Sequence, residues 1–445
     1  MYGGSCMKKS TLFPLAFTIF ALFFGAGNLL FPPELGALAG ENLVPAMIGF
    51  VITGVGLPLL ALFAVARVGG GTDQIARYIP KRLALILTGL MYVAIGPFFG
   101  IPRTAAVTYE MGLVPFLDAP STLTLAMSST VFFGLTFFLT LRAQKLIEVI
   151  GRIITPILLF LLVAIGITNL ISPLGEPGAP AEGFETWVGA LGQGFQQGYL
   201  TMDVFGALVF GAIVLVTLKA NGLSDQKEAS SLLRSAGMLA VTCLMLVYIS
   251  LASIGANMTV AEGTTSGASL LQAFAGTSYG QVGMLALGLA VFLACLTTAV
   301  GLISEFSRFI SNQFDSLKYH HVVIATTLFG FMISLVGLSS LIQIAVPLLT
   351  LLYPVMIALV LVSVTERLQR NPGVAMKATI YTALVLSFFE TWNGIQPSAV
   401  TSWIGNLPMA DIGLAWAVPT MIVYAITLLL PKGTSQESLA QSRIS

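Results

Sequence analysis

Phe23-Phe24-Gly25-Ala26-Gly27-Asn28-Leu29-Leu30-Phe31-Pro32-Pro33 is the stretch whose reading decides the fold. It sets two glycines and an asparagine deep inside an apolar run at residues 11–31. Such a run is long enough to cross a hydrocarbon core of about 30 Å, which takes roughly 20 helical residues. Glycine and asparagine are poor helix material and permit unusual dihedrals. A helix interrupted here exposes carbonyls at the end of its first half and N–H groups at the start of its second. The first are a cation site and the second an anion site. One break could therefore hold both ends of a zwitterion such as an amino acid. The alternative is that Gly25 and Gly27 only admit a neighbouring helix to close approach, as small residues do in membrane packing.

A counterpart lies further along, in Gln196-Gln197-Gly198-Tyr199-Leu200-Thr201-Met202-Asp203-Val204-Phe205-Gly206. Here an ionisable residue sits inside an apolar run, where a bare charge costs at least a few kcal/mol. Asp203 either caps a restarted half-helix, contributes to a cation site, or carries a proton and relays it.

Working outward, the chain reads as an all-α polytopic membrane protein. Spans fall at 11–31, 43–66, 83–103, 121–140, 146–168, 191–217, 232–255, 280–303, 322–338, 341–362, 376–392 and 411–430. Of 445 residues, 56% are hydrophobic and 9% charged, against roughly 25% charged in a soluble domain. The surface must face lipid. Net charge of +1 argues against nucleic acid as a partner, because that needs a concentrated basic face. Cys6, Cys243 and Cys295 form no disulfide framework. Lys8 and Lys9 before an apolar stretch also fit a signal peptide, but the many following spans favour a first membrane helix.

Charge placement tests the span map separately from hydropathy. Of the 20 basic residues, all but Arg103 fall in alternate connections. One set holds Lys8, Lys9, Arg67, Arg77, Lys81, Arg82, Arg142, Lys145, Arg152, Lys219, Lys227, Arg234, Arg308, Lys318, Arg367, Arg370, Lys377, Lys432 and Arg443. The other set holds Glu34, Glu41, Glu110, Asp118, Glu176, Glu182, Glu185 and Glu262. The positive-inside rule then places both termini in the cytoplasm.

Spans one and six run in opposite directions, and each opens a block of five helices. That is the pattern of two inverted repeats meeting at discontinuous helices. The expected organisation is a tail at 1–10, one half at 11–168, an outer loop at 169–190, a second half at 191–362, two further helices within 376–430, and a tail at 431–445.

Other residues carry less. Arg103 either snorkels to the outer interface, pairs with Glu110, or lines a polar cavity in a substrate or gating role. In Ala294-Cys295-Leu296-Thr297-Thr298, adjacent hydroxyls can ligate a small hard cation such as sodium, or simply bond their own helix. Glu390 is expected to be interfacial or structurally paired, and Glu305 solvated. His320 and His321 make no spaced metal-ligand set, and no phosphate loop or zinc protease motif is present. The chain is therefore expected not to be an enzyme. A channel or a scaffold also fits the apolarity, but a scaffold gives no reason for Asp203.

Four stretches together carry a resemblance: Phe23–Pro33 (FFGAGNLLFPP), Gly96–Thr104 (GPFFGIPRT), Gly198–Asp203 (GYLTMD) and Thr297–Glu305 (TTAVGLISE). The chain resembles the bacterial BrnQ family of branched-chain amino acid:cation symporters along nearly its whole length. The resemblance implies an inner-membrane importer of leucine, isoleucine and valine, with Na+ as coupling ion, no organic cofactor and no obligatory protein partner. It also implies a LeuT-like fold, a five-plus-five inverted repeat with two C-terminal helices and breaks in helices 1 and 6.

By the same resemblance, Gly25, Ala26, Gly27 and Asn28 form the unwound part of the first helix. The expected substrate-binding residues are these four with Thr201, Asp203, Val204 and Phe205; Val204 and Phe205, like Phe24, are candidate wall residues whose facing the sequence does not give. Thr297 and Thr298, with carbonyls of Ala21, Phe24 and Ala294, form one sodium site, and Asn28 and Thr201 a possible second. Asp203 departs from the amino-acid branch of that fold, which has a small polar residue there. Proton coupling through Asp203, or another small zwitterionic or apolar solute, is the competing expectation.

Overall fold

Hydrocarbon offers no partner for a free N–H or C=O, so apolar runs that enter it must pair their own backbone. The computed structural model describes residues 4–141, 155–220, 223, 225–258, 266–398 and 400–430, and among these no strand occurs. Outside the described residues lie the start of the expected fifth span with Arg142, Lys145 and Arg152, and Glu262, Lys432 and Arg443.

The first span is two helices, α1 (Gly4–Phe23) and α2 (Ala26–Ala39), separated only by Phe24 and Gly25. The second is α3 (Leu43–Val51), a widened π turn over Ile52–Gly56, and α4 (Leu57–Val68). A short α5 (Thr72–Ile75) leads to the third span, α6 (Lys81–Val93) and α7 (Gly100–Gly112), joined through Ala94–Phe98. Next come α8 (Thr122–Thr140) and α9 (Thr155–Ile171). The sixth span is again a pair, α10 (Trp187–Leu200) and α11 (Asp203–Ala220), bent by 41°. The chain continues through α12 (Gln226–Ala256), α13 (Gly267–Gln313), α14 (Tyr319–Ser334), α15 (Leu338–Val364), α16 (Pro372–Ile395) and α17 (Ala417–Leu429).

Among the described residues, seven helices are long and apolar enough to cross a membrane, and the bent α10–α11 pair makes an eighth. Leu12–Phe23, Thr155–Ile171, Tyr319–Ser334 and Ala417–Leu429 are shorter apolar helices. Together these account for the expected set of about twelve. The first, third and eighth spans run on to Ala39, Gly112 and Gln313, past the expected 31, 103 and 303, and two starts differ as well. The eighth helix begins at Gly267, before the expected 280, because its first segment is too polar to read as a span. It turns at Gly280, whose φ of 63° suits glycine. The twelfth begins at Ala417, since Met409 and Gly413 adopt left-handed φ and hold the preceding residues in tight turns.

Large apolar side chains such as Leu123, Val131, Phe138 and Phe160 are exposed, whereas Tyr248, Tyr353, Phe20 and Phe31 are fully buried. That is a surface made for lipid. Connections from the basic set meet at one end of the bundle. There Arg67 donates to the Val364 carbonyl and Arg77 pairs with Glu366 at 2.6 Å. Arg67, Lys227, Arg234 and Arg367 surround a cavity of about 580 Å³ at that end.

The second span packs against the sixth, backbone to backbone. A Cβ on Gly49 would lie 2.0 Å from the Leu191 carbonyl, and one on Gly194 1.9 Å from the Ala46 carbonyl. Thr53 donates across the seam to the Phe195 carbonyl at 2.8 Å. Close approach of this kind is how helices associate where no hydrophobic effect drives them together. Gly194→Ala should therefore abolish the monodisperse peak of detergent-extracted protein in fluorescence-detected size exclusion. Gly134→Ala, whose Cβ meets nothing within 4 Å, should preserve it. Equal profiles for the two variants would contradict the seam's role.

Candidate functional site

The first break is set by where one N–H goes. In an unbroken helix Gly25 would donate to the Ala21 carbonyl, four residues back. It donates instead to Oδ1 of Asn28 at 2.9 Å. Asn28 thus caps its own half-helix, α2, and releases the Ala21 carbonyl from that bond. The other end of the Asn28 amide donates to both carboxylate oxygens of Asp203 at 3.0 Å and also contacts the Tyr248 hydroxyl. Tyr248, on α12, donates to Oδ2 of Asp203 at 2.5 Å.

Asp203 opens α11, where the helix dipole favours a negative charge. Its carboxylate bonds across to α2 and α12, so capping is not its principal work. The chain reaches it through Met202 at φ 62°, a left-handed conformation unusual for a side chain other than glycine. That kink ends α10 and allows α11 to restart at a new angle.

A third interruption brings in Arg103. Gly96 leaves the helix at ψ −121°, and α7 starts anew after Phe99. Arg103 is 4% exposed, so it does not snorkel. Its guanidinium lies over the rings of Phe99 and Phe31, at 4.6 and 5.4 Å from their centroids. Nη1 donates to the carbonyl of Leu200, the last residue of α10, at 2.5 Å. A Cβ on Gly27 would fall 2.7 Å from Nη2, so glycine is what lets the fork lie against α2. Arg103 makes no ion pair with Glu110, which stands about two turns away on α7. Glu110 lines a different cavity of about 390 Å³ with Tyr109, Ser121 and Gly337.

These groups enclose a pocket with about 30 Å³ of free space, lined by Gly25, Ala26, Asn28, Arg103, Thr201, Asp203 and Thr298. That is room for about one water. Phe23, Ile95, Phe210 and Leu302 supply its apolar wall. Val204 and Phe205 do not line it, and Phe205 packs on Tyr353 at 4.6 Å. Phe24 likewise turns aside and stacks on Phe20.

Thr298 presents a buried hydroxyl with no hydrogen-bond partner, 3.1 Å from where a Gly25 Cβ would be. Thr297 donates to the Ala294 carbonyl at 2.9 Å, and Thr201 to the Gly198 carbonyl at 2.8 Å. Ala21, Ala294 and Thr297 are buried but outside the pocket lining. Among the described residues no group of three His, Cys, Asp or Glu side chains could hold a metal. A cation here would draw on hydroxyls and carbonyls, with Asp203 the one carboxylate in the lining.

Two expectations on acidic residues need revision or detail. Glu305 is not solvated: it is 8% exposed and pairs with Arg308 at 3.3 Å. Glu390 accepts from the Ala415 N–H at 2.9 Å, a structural pairing that fastens the last two helices. Tyr248 went unread in the sequence, because a single tyrosine in an apolar helix has no spacing to mark it.

Tyr248→Phe removes one of the side chains that donate to a buried carboxylate. It should lower stability by about 1–3 kcal/mol, seen as a lower Tm of purified protein in detergent. An unchanged Tm would show that Asp203 does not depend on the hydroxyl.

The description "Branched-chain amino acid transport protein" matches residues 8–434. A branched-chain amino acid transport system 2 carrier protein of Pseudomonas aeruginosa is 37% identical over 441 residues, 98% of this chain and 99% of that protein. The branched-chain amino acid permease BrnQ of Escherichia coli is 34% identical over 436 residues, covering 97% and 98%. Among solved structures, the nucleobase-cation symporter Mhp1, with bromovinylhydantoin bound, has a TM-score of 0.56 at 17% identity, covering 96% of this chain and 94% of its own. A manganese transporter mutant of Eremococcus coleocola has a TM-score of 0.61 at 14% identity, covering 96% of each chain. These two establish a LeuT-like fold. With the two broken spans crossing at Asn28 and Asp203, and sequence similarity from end to end, this multi-pass membrane protein belongs to the family of branched-chain amino acid transport proteins.

Proposed function

We propose that the chain imports leucine, isoleucine and valine by sodium symport through alternating access. The observation that carries the reading is the junction of the two broken spans, where the unpartnered Thr298 hydroxyl shares one buried pocket with Gly25, Asn28, Thr201 and Asp203. Sodium, as co-substrate, binds between α1 and α13, with the Thr298 hydroxyl and the released Ala21 carbonyl among its ligands. The Phe24 and Ala294 carbonyls and Thr297 complete the set. Asn28 and Thr201 are candidates for a second ion.

The substrate carboxylate meets the N–H groups at the start of α2, and its ammonium meets carbonyls at the ends of α1 and α10. The aliphatic side chain takes the wall of Phe23, Ile95, Phe210 and Leu302, where each methylene contributes roughly 0.8 kcal/mol. Since the pocket has about 30 Å³ free, it widens when substrate enters. Sodium and substrate are coupled because each favours the arrangement of the breaks that the other also favours. The repeats are 11–168 and 191–362, in a bacterial inner membrane with both termini cytoplasmic.

Asp203 inside the pocket motivates a second reading, coupling to protons. The two separate in reconstituted vesicles with the membrane potential controlled. Under sodium symport, a sodium gradient drives leucine uptake, and Thr298→Ala raises the half-saturating sodium concentration about 10-fold, the cost of one lost ligand interaction of roughly 1.4 kcal/mol. Uptake that follows a pH gradient without sodium, and is unmoved by Thr298→Ala, would replace this reading with proton coupling.

One methylene distinguishes these substrates only weakly. Leucine, isoleucine and valine should therefore inhibit one another's uptake at concentrations within about 10-fold to 100-fold. Absence of mutual inhibition would refute the shared pocket.

A further inference from the structure

A guanidinium offers five N–H donors in a rigid fork and remains protonated in proteins. Arg103 gives one protein acceptor a hydrogen bond, the Leu200 carbonyl, and its Nε is buried with no partner. Nor does its charge sit in an ion pair. No carboxylate lies within ion-pair distance of it among the described residues. Asp203, which faces the same pocket, is held by Asn28 and Tyr248 instead. The rings of Phe31 and Phe99 offset part of the cost of burying the cation, but they do not supply acceptors in the plane of the fork.

We infer that Arg103 is the receptor for the carboxylate of the transported amino acid, a reading that rests on the amino-acid transport proposed above. Three observations converge on it. The guanidinium lines the pocket, and its buried Nε is an unused donor. It lies against Gly27, in the first turn of α2, so an anion reaching it also stands before the N–H groups that begin that half-helix. A carboxylate is planar and accepts two parallel bonds from a guanidinium, which gives direction as well as attraction.

Asp203 then stands in the same pocket as the fixed negative charge for the ammonium. Opposite charges that share a cavity without touching match a zwitterion and disfavour a molecule carrying either charge alone. The Leu200 bond adds a second consequence. The fork that takes the carboxylate also holds the end of α10, so substrate binding is transmitted to the break in the sixth span.

The test compares ligands that differ only in the charge Arg103 would read. Purified protein in detergent with saturating sodium is titrated with leucine and with leucinamide, which keeps the ammonium and lacks the carboxylate, and binding is followed by thermal shift. The wild type should bind leucine at least 100-fold more tightly than leucinamide. Arg103→Gln should weaken leucine at least 50-fold and leucinamide less than 3-fold, so that the preference collapses. Arg103→Lys should keep part of the preference.

Gly27→Ala displaces the fork and leaves Arg103 in the chain, so it should reduce the preference in the same way. Equal weakening of both ligands would make Arg103 a clamp on Leu200 only, and an undiminished preference in any folded variant would also overturn the inference. If the wild type binds leucinamide as well as leucine, the inference fails without any variant. Failure of the wild type to bind leucine, isoleucine or valine would instead overturn the underlying transport reading.

Discussion

The hydrogen bonds that join Asn28, Asp203 and Tyr248 are what the interior of this protein depends on. A carboxylate away from water must find donors or leave the structure, and Asp203 finds them on two other helices. Asn28 can serve it because its own carbonyl oxygen already accepts from Gly25. The amide therefore has one end holding the first break open and the other holding the second break in place. Removing either residue leaves the other with an orphaned polar group, so the two interruptions are mutually dependent features of one arrangement.

That dependence explains which parts were legible beforehand. Gly25, Gly27 and Asn28 violate helix propensity inside an apolar run, and Asp203 violates hydrophobicity, so each marks itself. The charge alternation then orders the spans without any tertiary information. Tyr248 breaks neither rule, since tyrosine is tolerated in a helix and in an apolar core, and only the fold reveals what its hydroxyl meets. Phe205 and Val204 adjoin Asp203 in sequence, but a helix turns successive side chains by about 100° and carries both away from the pocket. Glu305 was misread for a similar reason. Its position near a helix end suggested water, whereas the length of α13 and the packing around it bury the carboxyl beside Arg308.

The break in the third span shows a subtler limit. Gly96 and Pro97 were visible as part of a recognisable stretch, yet their effect concerns a residue several positions later. Leaving the helix at Gly96 and restarting at Gly100 turns the following helix so that Arg103 faces inward. A straight helix would have kept the question of snorkelling open. Once inside, the guanidinium touches the start of α2 and the end of α10, which are the two half-helices whose ends define the pocket.

The glycine seams limit where the molecule can move. Gly49 and Gly194 place backbone against backbone between α3 and α10, and Gly36 does the same between α2 and α12, where its Cβ would lie 1.8 Å from the Ala252 carbonyl. Sliding such seams would separate surfaces that have no room for even a methyl group, and packed interfaces of this kind behave as rigid bodies. The half-helices α2 and α10, one from each broken span, are therefore attached to their neighbours. The interruptions at Phe24–Gly25 and Thr201–Met202 lie outside these three backbone contacts. On the proposed reading, enlarging the pocket of about 30 Å³ to admit an amino acid would turn these same interruptions, so that ligand recognition and the conformational hinge would share one location.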